Sequence, residues 1–283
     1  MNDLPVTLRA LYLHPVKSCG GIAVDEALVI ETGLEFDRAW MVVDEFGEFL
    51  SQRELPRMAL VAPTLRTNDL MLRASGMLAL HLALDAVEAP CRVRVWDDEV
   101  RAYDMGDVAA QWFSDFLGRT ARLVRFDPEH KRLSEPRWSG GVEARAAFAD
   151  GFALLVVSTA SLAELNRRLA ERGQPAVGIE RFRPNLVLDG LDAHGEDWID
   201  TLTLDTDDGP VVLKLTKPCA RCSIPNVDPA TAATGTEPGD TLATYRADAR
   251  LNGAITFGMN AVVASGIEHL LKVGARGRAT IAF

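Results

Sequence analysis

Apolar and polar side chains alternate in short stretches along most of the chain, a period of two that predicts strands. Residues 7–16, Thr-Leu-Arg-Ala-Leu-Tyr-Leu-His-Pro-Val, make the first such stretch and predict a strand ending at Pro15. Others are predicted over 27–31, 38–43, 49–53, 58–63, 70–74, 78–84, 91–95 and 122–126, with turn residues such as Gly33 and Phe46-Gly47 between them. Two stretches carry the helical period instead. Val108, Trp112, Phe113 and Phe116 share one face before a stop at Gly118, which predicts a helix over 108–117. Leu162, Leu165 and Leu169 form a second stripe after Ser158-Thr159-Ala160-Ser161. There Ser161 and Glu164 have capping-box spacing, and Ser158 and Ser161 read as helix-capping hydroxyls.

The run 152–157, Phe-Ala-Leu-Leu-Val-Val, is apolar on both faces, as a central strand is. Strands are also predicted over 186–188, 211–215, 257–263 and 272–283, with Gly258 permitting close approach of another backbone or a ligand. Residues 127–147 are polar and carry Pro128, Pro136 and Gly140-Gly141, which predicts a loop or lid. Residues 229–240 are small and polar, and predict an irregular excursion. There is no internal repeat. The pattern is that of an α+β chain, mainly β, with a weak boundary between 117 and 122 that separates a β-rich 1–120 from 121–283.

Composition narrows the function classes. The 283 residues suffice for one large or two ordinary domains, and 48% hydrophobic with 25% charged residues is the balance of a folded soluble protein. A net charge of −10 argues against nucleic acid as main partner, because a phosphate backbone calls for a basic face. No apolar run approaches the roughly 20 residues of a membrane helix. The N-terminal Met-Asn-Asp-Leu-Pro lacks the basic and apolar regions of a signal peptide. Four cysteines in a chain of this length fit a reducing compartment, so a cytoplasmic protein is expected.

The chemistry gathers around Lys217-Pro-Cys-Ala-Arg-Cys-Ser-Ile-Pro-Asn-Val-Asp-Pro229. The apolar run 211–215 feeds into it, and Pro218, having no N–H, is expected to stop ladder pairing there. Arg221 lies between Cys219 and Cys222, and a guanidinium beside a sulfur favours the thiolate that binds metal or attacks electrophiles. Pro225 and Pro229 stiffen the exit and forbid a regular helix after the pair. Structural zinc lacks its second ligand pair, since Cys19 and Cys91 stand apart, and a thioredoxin-like pair lacks its helix. A single thiolate on a soft metal that brings its own organic ligands fits better, with two inert loop cysteines as the plain alternative. Three other stretches favour an anionic guest. Lys17-Ser18-Cys19-Gly20-Gly21 can offer backbone N–H groups and an ammonium, or be a plain tight turn. Arg53, and Arg181-Phe182-Arg183-Pro184-Asn185 at the mouth of a strand, can fork a phosphate or be solvated surface. The five histidines have no metal-ligand spacing.

His14-Pro15-Val16-Lys17-Ser18, Phe182-Arg183-Pro184-Asn185, and Lys217-Pro-Cys-Ala-Arg-Cys with the later Val227-Asp228-Pro229 resemble the MOSC-domain family of molybdenum-cofactor proteins. The likeness is to the branch with the mitochondrial amidoxime-reducing component and its bacterial relatives, and runs from about Leu8 onward. It implies a MOSC-type β-barrel with flanking helices plus an N-terminal β-rich domain, whose first strands contribute to the cofactor cleft. It also implies a molybdenum-pyranopterin (molybdopterin) cofactor, with Cys222 as metal ligand and catalytic residue and Cys219 as its neighbour. Lys17, Ser18, Arg53, Arg183, Asn185, Ala220 and Arg221 would contact the cofactor. Asp150, Gly151 and Phe152 match a family contact segment, through backbone contacts, and Asn260 lies where a relative has tyrosine. The activity implied is reduction of N-hydroxylated compounds: amidoximes, hydroxylamines and N-oxides. No pyridoxal phosphate is implied. Some bacterial relatives carry a fused ferredoxin domain with four cysteines; this chain has no such set, so electrons are expected from a ferredoxin-, flavodoxin- or cytochrome b5-like protein and its reductase. The alternative is a non-catalytic carrier of molybdenum cofactor or persulfide sulfur using the same loop.

Overall fold

Seven strands drawn from both ends of the chain close into a barrel in the computed structural model, which describes residues 3–281. Met1 and Asn2 of the N-terminal reading, and Ala282 and Phe283 of the predicted closing strand, lie outside those residues. Around the barrel, Leu154–Ser158 is followed by Leu186–Asp189, Asp3–Leu13, Arg276–Ile281, Ile199–Thr206, Gly209–Ala220 and Ala254–Ser265. The last of these pairs back to the first, Val156 opposite Met259. Among the described residues of the barrel, only Leu154–Ser158 and Leu186–Asp189 pair in parallel. The alternation read from the sequence supplies the interior: Leu8, Leu11, Val156, Leu188, Leu202 and Leu213 are fully buried in one cluster. Each such side chain taken from water contributes about 1.5–3 kcal/mol.

A second sheet orders Trp40–Val43, Arg122–Phe126, Asp98–Asp104 and Ala89–Val95. Its core and that of the neighbouring hairpins hold Trp40, Met58, Leu70, Leu72 and Phe113. Pairing crosses the 120/121 point in both directions: Asp3–Leu13 belongs to the barrel, and Arg122–Phe126 to this second sheet. The helix Gly106–Leu117 buries Trp112, Phe113 and Phe116 and stops at Gly118 with φ +70°. Val108, expected on the same stripe, is 76% exposed, because the buried face is carried by Ala109 and Leu117 instead.

Four local expectations are corrected. Residues 49–53 form no strand, only a bridge from Phe49 to Val43 and then a turn, since a lone bridge leaves the following residues without a ladder partner. Pro56–Leu60 is a 3-10 turn that Pro56 opens, so the strand predicted over 58–63 begins at Ala62. Pro218 does not stop the ladder: Gly209–Ala220 runs through it, with Pro218 opposite Met259 and register shifts on either side. Its pairing with Ile199–Thr206 has already ended at Lys214, so Pro218 sits on a half-free edge where a missing N–H breaks no ladder. The helix Thr159–Glu171 is capped by Ser158, whose Oγ accepts from the Ser161 N–H at 3.1 Å. Ser161 instead donates to buried Glu196 at 2.8 Å, and Glu164 pairs with Arg167 and Arg168.

Gly258 does what its place in a strand predicted. It has φ +77°, and a Cβ there would sit 2.8 Å from the Val156 carbonyl oxygen and 2.7 Å from Val157. Gly258→Ala is therefore expected to lower unfolding free energy by roughly 3 kcal/mol, combining backbone strain with overpacking. Urea unfolding checks this; a loss below about 1 kcal/mol would mean that the two barrel strands part without cost.

Candidate cofactor and active site

Strand direction gathers the site. Asp3–Leu13 ends, and Leu186–Asp189 and Leu154–Ser158 begin, at one rim of the barrel, because the first pairing is antiparallel and the second parallel. Lys217 lies opposite Asn260, and Asn260 opposite Leu155, which brings the cysteine segment to the same rim. The segments that follow or precede these strands line one pocket, and every predicted site residue is among them: Lys17 and Ser18; Arg53; Asp150, Gly151 and Phe152; Arg183 and Asn185; Ala220, Arg221 and Cys222; and Asn260.

The Lys17 turn is anchored by its own backbone. Lys17 N–H donates to Trp40, Cys19 N–H to Val16 and Gly20 N–H to Val61, so these groups do not face an anion. What remains for the pocket is the Lys17 side chain and Ser18, at φ +64°. The buried Lys17 ammonium donates to the Phe148 carbonyl at 2.8 Å and to Asp150 Oδ1 at 2.5 Å. Burial pushes its pKa down, against the pull of Asp150. Desolvation would raise the Asp150 carboxyl, but Lys17, the Trp96 N–H and Arg53 together hold it well below the usual range. Within the protein, the Asp150 side chain thus serves Lys17 and Trp96.

Arg183 has φ +56° and donates to the Cys19 carbonyl oxygen at 2.5 Å. Burial, then the nearby Arg38, lowers its pKa to about 10. Asn185 lines the pocket with an amide already engaged: its oxygen accepts from Arg38 at 2.9 Å and from the Leu155 N–H at 3.1 Å, and its nitrogen donates to Tyr12 at 3.3 Å. Arg181, two residues before Arg183, points the other way and pairs with Asp228 at 2.8 Å. In the cysteine segment, Arg221 donates to Cys219 Sγ at 3.0 Å and to the Phe182 carbonyl at 3.1 Å, while its Nε is buried without a partner. The guanidinium thus serves Cys219, and Cys222 is the exposed thiol on the pocket wall. Only a 3-10 turn, Ile224–Asn226, follows the pair, as the prolines required. Asn260 donates to the Lys217 carbonyl at 3.2 Å.

Two arginines escaped the sequence reading. Arg38 lines the pocket and donates to Asp37 at 2.5 Å, to Asn185 and to the Arg183 carbonyl, tying its own turn to the Arg183-Pro184-Asn185 segment. Arg132, inside the 127–147 loop, is buried and donates to the carbonyls of Ala147 and Asp150 at 3.0 and 2.9 Å, fixing the backbone that carries Asp150. Arg38 stood as the first residue of a strand predicted over 38–43, which in fact begins at Trp40, and Arg132 as part of a polar loop, so neither carried a signal of its role. His14 is likewise structural: it is buried, kept neutral by that burial, and its Nε2–H donates to the Pro184 carbonyl.

Among the described residues, five cationic side chains line the pocket (Lys17, Arg38, Arg53, Arg183 and Arg221) against one carboxylate, Asp150. That excess stands in a chain whose net charge is −10. Buried like charges repel, so a polyanionic guest would stabilise the set. An exposed soft thiol at the same wall adds a ligand for a soft metal. The residues present fit a phosphate-bearing metal cofactor.

Residues 6–120 match the MOSC N-terminal beta barrel domain family and residues 143–276 match the MOSC domain family. The human mitochondrial amidoxime-reducing component 1 is 35% identical over 251 residues, which span 85% of this chain and 72% of that protein. The chain belongs to the MOSC-domain family. Within it, the rat mitochondrial amidoxime reducing component 2 is 36% identical over 252 residues, 85% of this chain and 72% of the relative. The zebrafish molybdenum cofactor sulfurase is 32% identical over 269 residues, 89% of this MOSC chain but 31% of the sulfurase.

Proposed function

We propose that this MOSC protein is a molybdenum-cofactor-dependent oxidoreductase that reduces N-hydroxylated compounds with electrons from a separate redox protein. The observation that carries the reading is a cation-rich pocket with an exposed thiol on its wall; the names of the amidoxime-reducing relatives support the reaction class. Lys17, Ser18, Arg38, Arg53 and Arg183 would hold the anionic part of the cofactor, and Cys222 would be the protein ligand to the metal. Ala220, Arg221, Asn260 and the Asp150–Phe152 segment would complete the walls. The cofactor, when bound, supplies the two-electron redox centre; the reaction consumes two electrons and two protons, breaks the N–O bond and releases water. The chain's own part is to fix charge and access. Arg132 and Lys17 hold the Asp150 segment, and Arg38 holds the Arg183-Pro184-Asn185 segment. Engaging Arg221 with Cys219 keeps the two thiols chemically distinct. We place the protein in the cytoplasm on its acidic composition and free cysteines.

Anaerobic incubation of metal-loaded protein with benzamidoxime and an artificial electron donor tests the reading, and benzamidine is the expected product. Stoichiometric cofactor that passes to another apoprotein without turnover would support the carrier instead. Neither bound cofactor nor turnover would leave a β-rich binding domain.

With NADH as sole reductant, the purified protein is expected to be inert. The chain has no G-x-G-x-x-G after a strand, and no His, Cys, Asp and Glu cluster suited to a metal among the described residues. Benzamidine formed from NADH and this protein alone would reveal an electron entry point of its own.

A further inference from the structure

Trp96 stands at the tip of the hairpin joining Ala89–Val95 to Asp98–Asp104, where Val95 pairs with Asp98 across a two-residue turn. Its φ is +58°. Such turns favour glycine, asparagine or aspartate, because a Cβ is strained there. Burial does not offset the strain, since 49% of Trp96 remains exposed. Strain held at an exposed bulky residue points to a role other than folding.

The ring's contacts show what that role serves. The indole Nε1–H donates to Asp150 Oδ1 at 3.2 Å, the same oxygen that accepts from Lys17. The Arg53 guanidinium lies 4.6 Å from the centre of the indole and 5.5 Å from that of Phe49. Phe49 in turn meets Trp96 edge-on at 5.0 Å. Arg53, Asp150 and Phe49 line the pocket, whereas Trp96 stands behind them. Without the indole, Arg53 would keep Glu54, at 3.7 Å, the Phe49 face and the through-space charge of Asp150, none of which is a close hydrogen bond. Asp150, whose side chain is 59% exposed, would keep only Lys17 on that oxygen.

We infer that Trp96 is a positioning residue, which aims Arg53 and Asp150 at the anion-binding end of the pocket and so slows cofactor release. The inference rests on the function proposed above. It assigns Trp96 no contact with the cofactor.

The test follows loss of molybdenum from loaded protein during dialysis, beside thermal unfolding. Trp96→Gly relieves the backbone and removes the ring, so it is expected to melt no lower than the intact protein yet release cofactor about tenfold faster, the scale of one cation–π contact and one hydrogen bond. Trp96→Phe keeps a face for Arg53 and is expected to fall between the two. Release from Trp96→Gly at the intact rate would overturn the inference. So would a fall in melting temperature with Trp96→Phe no better than Trp96→Gly, since that is the pattern of a structural residue. Intact protein that takes up no cofactor would overturn the proposed function and this inference together; uptake with unchanged release overturns this one alone.

Discussion

Cys222→Ser is expected to abolish reduction of N-hydroxylated substrates, while Cys219→Ser keeps substantial activity. A serine hydroxyl is hard and weakly acidic where a soft metal calls for a thiolate. Cys222 is exposed on the pocket wall, so the change would remove the proposed ligand without opening a cavity in the core. Cofactor can still be held through the cations, so molybdenum content should fall only in part. Cys219 is half-buried against Arg221, and its replacement by serine keeps a hydrogen-bond acceptor for that guanidinium. Benzamidoxime turnover and metal content in both variants check the assignment. A dead Cys219 variant beside a fully active Cys222 variant would reverse it. A carrier would show loss of transfer, with no reductase activity to lose.

Lys17→Ala should weaken cofactor retention strongly, by ten- to a hundredfold, while the barrel stays folded. The lost interaction is a charge-assisted hydrogen bond from a buried ammonium, worth about 1.5–3 kcal/mol, and each 1.4 kcal/mol is about tenfold in affinity. Two effects add to it. Asp150 would lose its paired cation and keep only the Trp96 N–H and the charge of Arg53 beside an anionic guest, and the Phe148 carbonyl would lose its donor. Lys17→Met keeps the apolar stem and separates charge from packing. Arg53→Ala should act in the same direction but less, because Arg53 is nearer the rim, with 19% of its side chain exposed against 7% for Lys17. Molybdenum bound per chain after purification is the readout. Full occupancy in the Lys17 and Arg53 variants alike would remove both from the site.

The architecture was readable where burial repeats along the chain. Strand Asp3–Leu13 and helix Gly106–Leu117 each place their apolar residues at the period of their own backbone, and the all-apolar run at 152–157 marks the fully buried strand Leu154–Ser158. Short elements with partners far away in sequence were not readable. Residues 49–53 look like a strand, but no ladder reaches them, and whether Pro218 breaks a strand depends on which edge its missing N–H faces. Ser161 has the spacing of a cap, yet Glu196, 35 residues later, claims its hydroxyl.

For the site, the sequence by itself determined the reactive groups. Two thiols flanking an arginine behind a strand, and cationic turns at the ends of other strands, follow from residue type and local backbone rules. The tertiary structure alone decided which groups meet. Barrel closure set the Lys17, Arg183 and Cys222 segments on one rim. It turned Arg221 toward Cys219, brought in Arg38 and Arg132 from segments whose pattern signalled only a strand and a loop, and faced Asp150 with Lys17, 133 residues away. The physical reason is range. Side-chain chemistry and backbone propensity act over a few residues, whereas charge pairing and hydrogen-bond partnership act through space, between groups that only strand order and register bring within 3 Å of each other.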